Sequence, residues 1–303
     1  MKFDLKHRWQ HLKLFDKNPV IYWLLLSVLL IFFHRNSSYW YLLVLLNFVY
    51  IAAVLTFIPM LDRQKSAIAH FVRYGYIIAI LPLLYLQVKP FLHTIHFQEF
   101  DPVILRFESA VFGEVSNIWV QKFVKPPLTE FMQVSYSLYW ITIPLAGLIF
   151  YFRKEYLLYE NLMHYVTITF FLSYFVFIFF PVAGPRFFIA DQITAQYRGL
   201  FFAHYLREFM THAGFRGGAF PSSHVGVAVV ILLFMWRFKP KVAVAVFLPI
   251  VIALSLATVY GQYHYFTDVI AGLVMGISIG LYGSFLTAKR VKNNQSIYNR
   301  HNE

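Results

Sequence analysis

Long apolar runs separated by short polar loops dominate the chain. A helix that crosses a bilayer needs about 20 mainly apolar residues, fewer where flanking aromatic and basic side chains reach the interface. Eight runs meet or approach that length: Pro19–Phe33, Tyr39–Leu61, Phe71–Val88, Phe131–Phe152, Leu162–Val182, Phe220–Trp236, Val242–Val259 and Phe266–Leu286. The first and sixth are short. The first follows a basic stretch, as a signal peptide does, but no small-residue cleavage site follows and it is read as retained. The pattern predicts an all-α integral membrane protein, a polytopic bundle of about eight transmembrane helices. Between the third and fourth runs, Lys89–Glu130 is too polar to span and too rich in Phe, Ile and Val for a solvated loop. Short interfacial helices forming an extracytoplasmic cap are expected there. No repeat, Ser/Gly linker or low-complexity tract divides the chain, so residues 1–303 read as one membrane domain.

Composition and charge agree with that reading. Hydrophobic residues make up 59% and charged ones 13%, which excludes an ordinary soluble domain. The formal net charge of +12 would suit nucleic acid on a continuous basic face. Here the Lys and Arg residues fall in short clusters between apolar runs, so no nucleic-acid partner is expected. Basic residues collect in short cytoplasmic loops. With the N-terminus inside, eight crossings place Arg63 and Lys65, Arg153 and Lys154, the Arg237–Lys241 loop and the tail with Lys289, Arg290 and Lys292 inside as well. Both termini are therefore expected in the cytoplasm. The chain has no cysteine, which removes disulfides and thiolate chemistry. With the short loops, that points to a bacterial inner membrane.

Three polar sites then fall on the extracytoplasmic side. Pro185-Arg186 ends the fifth run, Pro221-Ser222-Ser223-His224 opens the sixth, and Tyr263-His264 with Asp268 lies between the seventh and eighth. His264 and Asp268 are four apart, which puts them on one face of a helix that has begun by His264. A carboxylate there fixes the imidazole tautomer and leaves the other nitrogen to attack an electrophile or move a proton. The same pair would equally serve to tie two helices together. An ionisable group inside a span is a functional hypothesis by default, and Asp268 is the acidic residue of the last three runs. Around His224, Gly217 and Gly218 let backbone approach a ligand, while Ser222 and Ser223 sit at a helix N-terminus that favours phosphate oxygens. Arg186 and Arg216 are candidates for the fixed positive charge that a phosphoryl transition state needs.

"FPSSHVGVAVV", followed some forty residues later by "ATVYGQYHYFTDVIAGL", resembles the second and third signature motifs of the type 2 phosphatidic acid phosphatase superfamily. "FFPVAGPRF" is similar to the first. The stretch "EFDPVILRFESAVFGEVSNIWVQKFVKPPLTEFMQVSYSLYWITIPLAG" looks like the branch containing inositol phosphorylceramide synthases. The resemblance makes 162–286 the catalytic helix core. It implies that His264 attacks phosphorus to form a phosphohistidine, that Asp268 orients it, and that His224 protonates the leaving oxygen. It implies a phosphate clamp that includes Ser222 and Ser223, to which the residues read above add Arg186, Arg216 and Gly218, and it implies no metal and no cofactor. The implied partners are membrane lipids: a phospholipid donor, and a lipid alcohol or water as acceptor.

Two departures from the family pattern bear on the substrate. The Lys usual seven residues before the first-motif Arg is Phe179, and the Arg usual six before the nucleophile is Thr258. A phosphomonoester carries nearly two negative charges at neutral pH and a phosphodiester one. Fewer cations therefore favour a lipid diester, and with it transfer of an inositol-phosphate-like headgroup to an alcohol such as ceramide. The alternative is a lipid phosphate or polyprenyl pyrophosphate phosphatase. Two other classes stay open: a haem protein ligated by histidines such as His34, His70 and His164, and a non-catalytic transporter or scaffold. Most of the 55 Phe and Tyr residues are read as lipid-facing or interface anchors; Tyr260, Tyr263 and Tyr265 flank the expected nucleophile and are read as interface anchors, with a headgroup pocket as the alternative.

Overall fold

The computed structural model describes residues 5–92 and 95–302. After a short N-terminal helix, three apolar helices follow: α1 (Leu14–Phe32), α2 (Trp40–Asp62) and α3 (Ala67–Leu86). Then come α4 (Asp101–Phe112), α5 (Pro126–Ser137), α6 (Tyr139–Phe152) and α7 (Tyr156–Phe179). The second half holds α8 (Phe202–Ala213), α9 (Ser223–Phe238), α10 (Pro240–Tyr260) and α11 (Phe266–Asn302). Short helical turns occupy 89–91, 116–123 and 185–192, and no strand forms among the described residues. The chain is a helical integral-membrane bundle.

Six helices, α1, α2, α3, α7, α10 and α11, are each long and apolar enough to cross a bilayer. Two of the eight expected runs differ from a simple span. Phe131–Phe152 is broken into α5 and α6, which meet at 41° and make a seventh span only if taken together. The hydroxyls of Ser135 and Ser137 bond back to the carbonyls of Phe131 and Val134, and Pro144 has no N–H to offer Trp140. Those local bonds compete with the helix ladder where the bend falls. The run opening at Phe220 is the shorter helix α9, because Ser222 caps it by accepting from the Val225 N–H. At the other end, α11 continues past Leu286 to Asn302 rather than fraying after Ala288. Arg290 anchors the extension by donating to Asn161 on α7 at 2.9 Å.

Two packing features set the frame for the site. Arg73 on α3, 1% exposed, donates to both oxygens of buried Asp16 on α1 and through Nε to Asp62 on α2. Removing one partner of such a buried pair costs about 3–5 kcal/mol, so the three N-terminal helices are locked at that end. In the second half α9 and α11 meet backbone to backbone. A Cβ at Gly272 would stand 2.5 Å from the Ser222 carbonyl, and one at Gly276 2.5 Å from the Gly226 carbonyl. Small residues permit this approach, which apolar lipid would not otherwise drive. It seats the Ser222 N–H on the Asp268 carbonyl at 2.9 Å, so the start of α9 is registered on the start of α11.

Candidate functional site

The start of α9, the turn before α11 and the end of α7 converge on one cavity of about 510 Å³. His224, His264, Arg186, Gly218, Ala219, Ser223 and Tyr263 line its polar end. Its apolar end runs between α3 and α6, past Leu81, Pro82, Trp140 and Ile143.

His264 and His224, forty residues apart in sequence, place their ring centroids 5.7 Å apart. The surroundings of the two rings differ in kind. His264, 4% exposed, presents Nδ1 to the Ala219 carbonyl at 2.8 Å and to Asp268 Oδ2 at 3.4 Å. The Ala219 carbonyl can only accept, so the proton sits on Nδ1 and Nε2 keeps its lone pair. Burial and the nearby Arg186 hold the His264 imidazole down to about 4, so it is neutral at physiological pH. A neutral imidazole with one nitrogen tied back is the form a nucleophile needs. His224 is partly buried, its Nδ1 has no partner among the described residues, and its Nε2 lies 3.4 Å from the Tyr136 hydroxyl.

Arg186 stands on the short helix after α7. Gly184, just before it, has φ +91°, and a Cβ there would press on Ala219 and the Tyr263 carbonyl, so that turn requires glycine. The guanidinium lies over Phe187, 5.5 Å from the Tyr263 ring centroid, and donates to the Met210 carbonyl. It has no carboxylate partner among the described residues. It is also the one Lys or Arg side chain in the cavity wall.

The other sequence candidates divide. Ser223 and Gly218 line the cavity. Ser222 does not: it is fully buried, and its hydroxyl is spent on the α9 cap. Arg216 is not among the residues that line the cavity; it is half exposed, and its fork is closed on Glu99 by contacts of 2.5 and 2.7 Å. A bidentate ion pair of this kind outcompetes a distant phosphate for the same donors. Phe179 is exposed and the buried Thr258 bonds to the Ser255 carbonyl, so neither supplies a cation. The nearer orienting group of His264 is the Ala219 carbonyl, while Asp268 Oδ2 accepts from the Tyr265 N–H at 2.8 Å. Among other histidines, His70 bonds to Tyr151 and His164 to Asn18.

Several supporting residues were missed because they lie in the 89–130 segment. Asp101, fully buried, accepts from the Ala183 and Gly184 N–H groups at 2.7 and 2.9 Å and from the Tyr265 hydroxyl at 2.9 Å. One carboxylate thus joins the turn carrying Arg186 to the residue after His264. Burial raises its carboxyl above the usual range in spite of these three donors. Glu108 accepts from Ser116 and from the N–H and hydroxyl of Thr267. Asn117 donates to the Val259 and His264 carbonyls at 3.2 and 3.1 Å. Gln262, at φ +64°, is held in its left-handed conformation by bonds to the Asn117 carbonyl and Tyr197. A charged or amide residue followed by a short apolar run was the available signal.

Among the described residues no three His, Asp or Glu side chains converge as a metal site. What the fold defines is a membrane bundle with paired histidines and one arginine at the end of a largely apolar cavity. The sequence profile of the PAP2 superfamily matches residues 102–281, and the chain belongs to that superfamily. Membership supports an enzyme of phosphatase type. A PA-phosphatase related-family protein of Dictyostelium discoideum is 33% identical over 131 residues, covering 41% of this chain and 23% of that protein. The match thus spans about a quarter of that relative's length. No solved structure matches.

Proposed function

We propose that this chain is a metal-independent lipid phosphotransferase that moves an inositol-phosphate-like headgroup from a glycerophospholipid to a lipid alcohol such as ceramide. The observation that carries the reading is the unequal setting of the two histidines: one tied back through Nδ1 with Nε2 left to the cavity, the other 5.7 Å away beside a hydroxyl. In the first step Nε2 of His264 attacks phosphorus and the bond to the diacylglycerol oxygen breaks. That oxygen takes the proton that His224 Nε2 carries. In the second step the acceptor hydroxyl attacks phosphorus, the P–N bond breaks, and His224 takes the hydroxyl proton. Arg186 faces the phosphoryl oxygens in both steps. A single lining cation matches the single charge of a diester, and an apolar cavity between α3 and α6 suits lipid chains.

The name of the Dictyostelium relative favours a second reading, hydrolysis of a lipid phosphate with water as acceptor. Purified protein incubated with labelled phosphatidylinositol and ceramide distinguishes them. A new labelled sphingolipid is expected, lost in His264→Ala; release of water-soluble label alone would establish the hydrolase, and full turnover in His264→Ala would end both. The distribution of Lys and Arg supports cytoplasmic termini and an extracytoplasmic site. Because the chain has no cysteine, Gln196→Cys reports this directly by its labelling with a membrane-impermeant maleimide in intact cells.

A further inference from the structure

We infer that Tyr136 and His224 Nε2 together form the seat for the hydroxyl oxygen of an acceptor lipid, with Tyr136 deciding between an alcohol and water. The inference rests on the phosphotransferase reading for its acceptor. Tyr136 is the penultimate residue of α5, two before the break at Leu138, and Tyr139 opens α6, so the bend between the helices brings both rings beside His224. The Tyr139 ring lies 4.4 Å from it by centroids and the Tyr136 ring 5.4 Å. Tyr136 is fixed from behind: its ring stacks on Tyr263 at 4.2 Å, and the Tyr263 hydroxyl donates to Gln133 at 2.8 Å. Its own hydroxyl has His224 Nε2 as its partner, at 3.4 Å.

At 3.4 Å the two polar atoms make a weak direct hydrogen bond. An oxygen held at about 2.8 Å from each at a tetrahedral angle needs them about 4.5 Å apart, so the guest enters as the Tyr136 hydroxyl and the His224 ring part by about 1 Å. An alcohol oxygen placed there donates its proton to Nε2 and accepts the Tyr136 proton in a lone pair, so all three groups are satisfied. As the new P–O bond forms at the expense of the P–N bond, the alcohol proton passes to Nε2. Tyr136 keeps its own. In the reverse sense the same seat steadies the departing diacylglycerol oxygen. Water makes the same two contacts but has no chain to fill the apolar part of the cavity, which Trp140 and Ile143 on α6 help to line, whereas the carbon chain of an alcohol does. Site groups that wall the imidazole are Tyr136 from α5, Tyr139 from α6, and His264 and Arg186 from the turns beside α9.

The test uses the full-length protein in nanodiscs and needs no turnover in its first arm. Titration with ceramide should shift the His224 Nε2 signal in ¹⁵N-histidine spectra, and a ceramide lacking the primary hydroxyl should not. In Tyr136→Phe the two lipids should give the same response. In the second arm, with an aryl phosphodiester as donor, the ratio of ceramide product to hydrolysis product should fall about fivefold or more, the loss of one neutral hydrogen bond. Equal responses of the wild type to both ceramides, or an unchanged product ratio in a folded Tyr136→Phe protein, would overturn the inference. A wild type that binds ceramide through its hydroxyl yet never labels His264 would instead refute the phosphohistidine reading and leave the seat standing.

Discussion

Replacing Asp101 by Asn tests whether one buried carboxylate holds the turns that carry Arg186 and His264 in register. The native group accepts three hydrogen bonds, from Ala183 N, Gly184 N and Tyr265 Oη. Asparagine keeps the volume and one acceptor oxygen, but turns an NH₂ toward a donor. At least one bond is lost and one donor pair is forced together. Each buried bond to a charged acceptor is worth about 1.5–3 kcal/mol, and leaving the buried donors unmet adds to the loss. Against this, a neutral amide escapes the desolvation that raises the Asp101 carboxyl, which returns part of the cost. The net expectation is a loss of about 2–4 kcal/mol. Activity should fall further than stability at a temperature where the variant is still folded, because Arg186 and His264 are no longer carried by one clasp. Thermal unfolding in detergent, read beside turnover, is the assay. Tyr265→Phe removes one of the three bonds and should cost about 1.5–3 kcal/mol. An Asp101→Asn protein with the wild-type midpoint and turnover within threefold would refute the clasp.

Gly276→Leu should separate α9 from α11, since even its Cβ would press on the Gly226 carbonyl and Val229; a loss of about 3 kcal/mol or more is expected, whereas Gly75→Ala, with nothing within 4 Å of the new Cβ, should be neutral or slightly stabilising by circular-dichroism melts. His264 titrates near 4 in the fold and about 6.5 unfolded, so the unfolded chain binds more protons between those values and stability falls as pH drops through that window, by up to about 3 kcal/mol. The raised carboxyl of Asp101 acts in the opposite sense, and the melting difference between His264→Gln and wild type from pH 7 to pH 4.5 isolates the histidine contribution. His224→Ala should slow turnover of an alkyl phosphodiester by about 10²–10⁴ and an aryl one far less, because phenolate leaves without a proton; equal slowing of both would remove His224 from the acid role.

What the sequence made legible and what it hid follow from the range of the interactions involved. Spans are read from local hydropathy, and bilayer thickness alone dictates their length, so six of the eight expected runs appear as continuous long helices. The bend in the fourth depends on where two serine hydroxyls turn, which hydropathy does not register. His224, His264 and Arg186 stood out because motif spacing is local, and the cavity gathers all three. Arg216 stood out on the same grounds and is drawn elsewhere by Glu99, 117 residues away, a contest that no local window contains. Residues 89–130 looked like a cap because they are too polar to span and too apolar for a solvated loop, yet Asp101, Glu108 and Asn117 are the groups that brace the histidine turn. Tyr136 was one of many aromatic positions assigned to the membrane interface.

The deepest omission concerns the acceptor that fixes His264. Any residue supplies a backbone carbonyl, so Ala219 carries no chemical mark in the sequence, and Asp268 is the visible acceptor at helical spacing. The structure reverses their order, 2.8 Å for the carbonyl and 3.4 Å for the carboxylate. The distinction has a consequence for mechanism. A carbonyl fixes the tautomer on its own, so His264 stays oriented whether or not Asp268 carries a charge. Asp268, tied to the Tyr265 N–H, then holds the turn that carries the imidazole. If that division is right, Asp268→Asn should retain the Nδ1–H tautomer of His264 in ¹⁵N spectra while lowering the melting temperature, and a switch of tautomer in that variant would restore the carboxylate to first place.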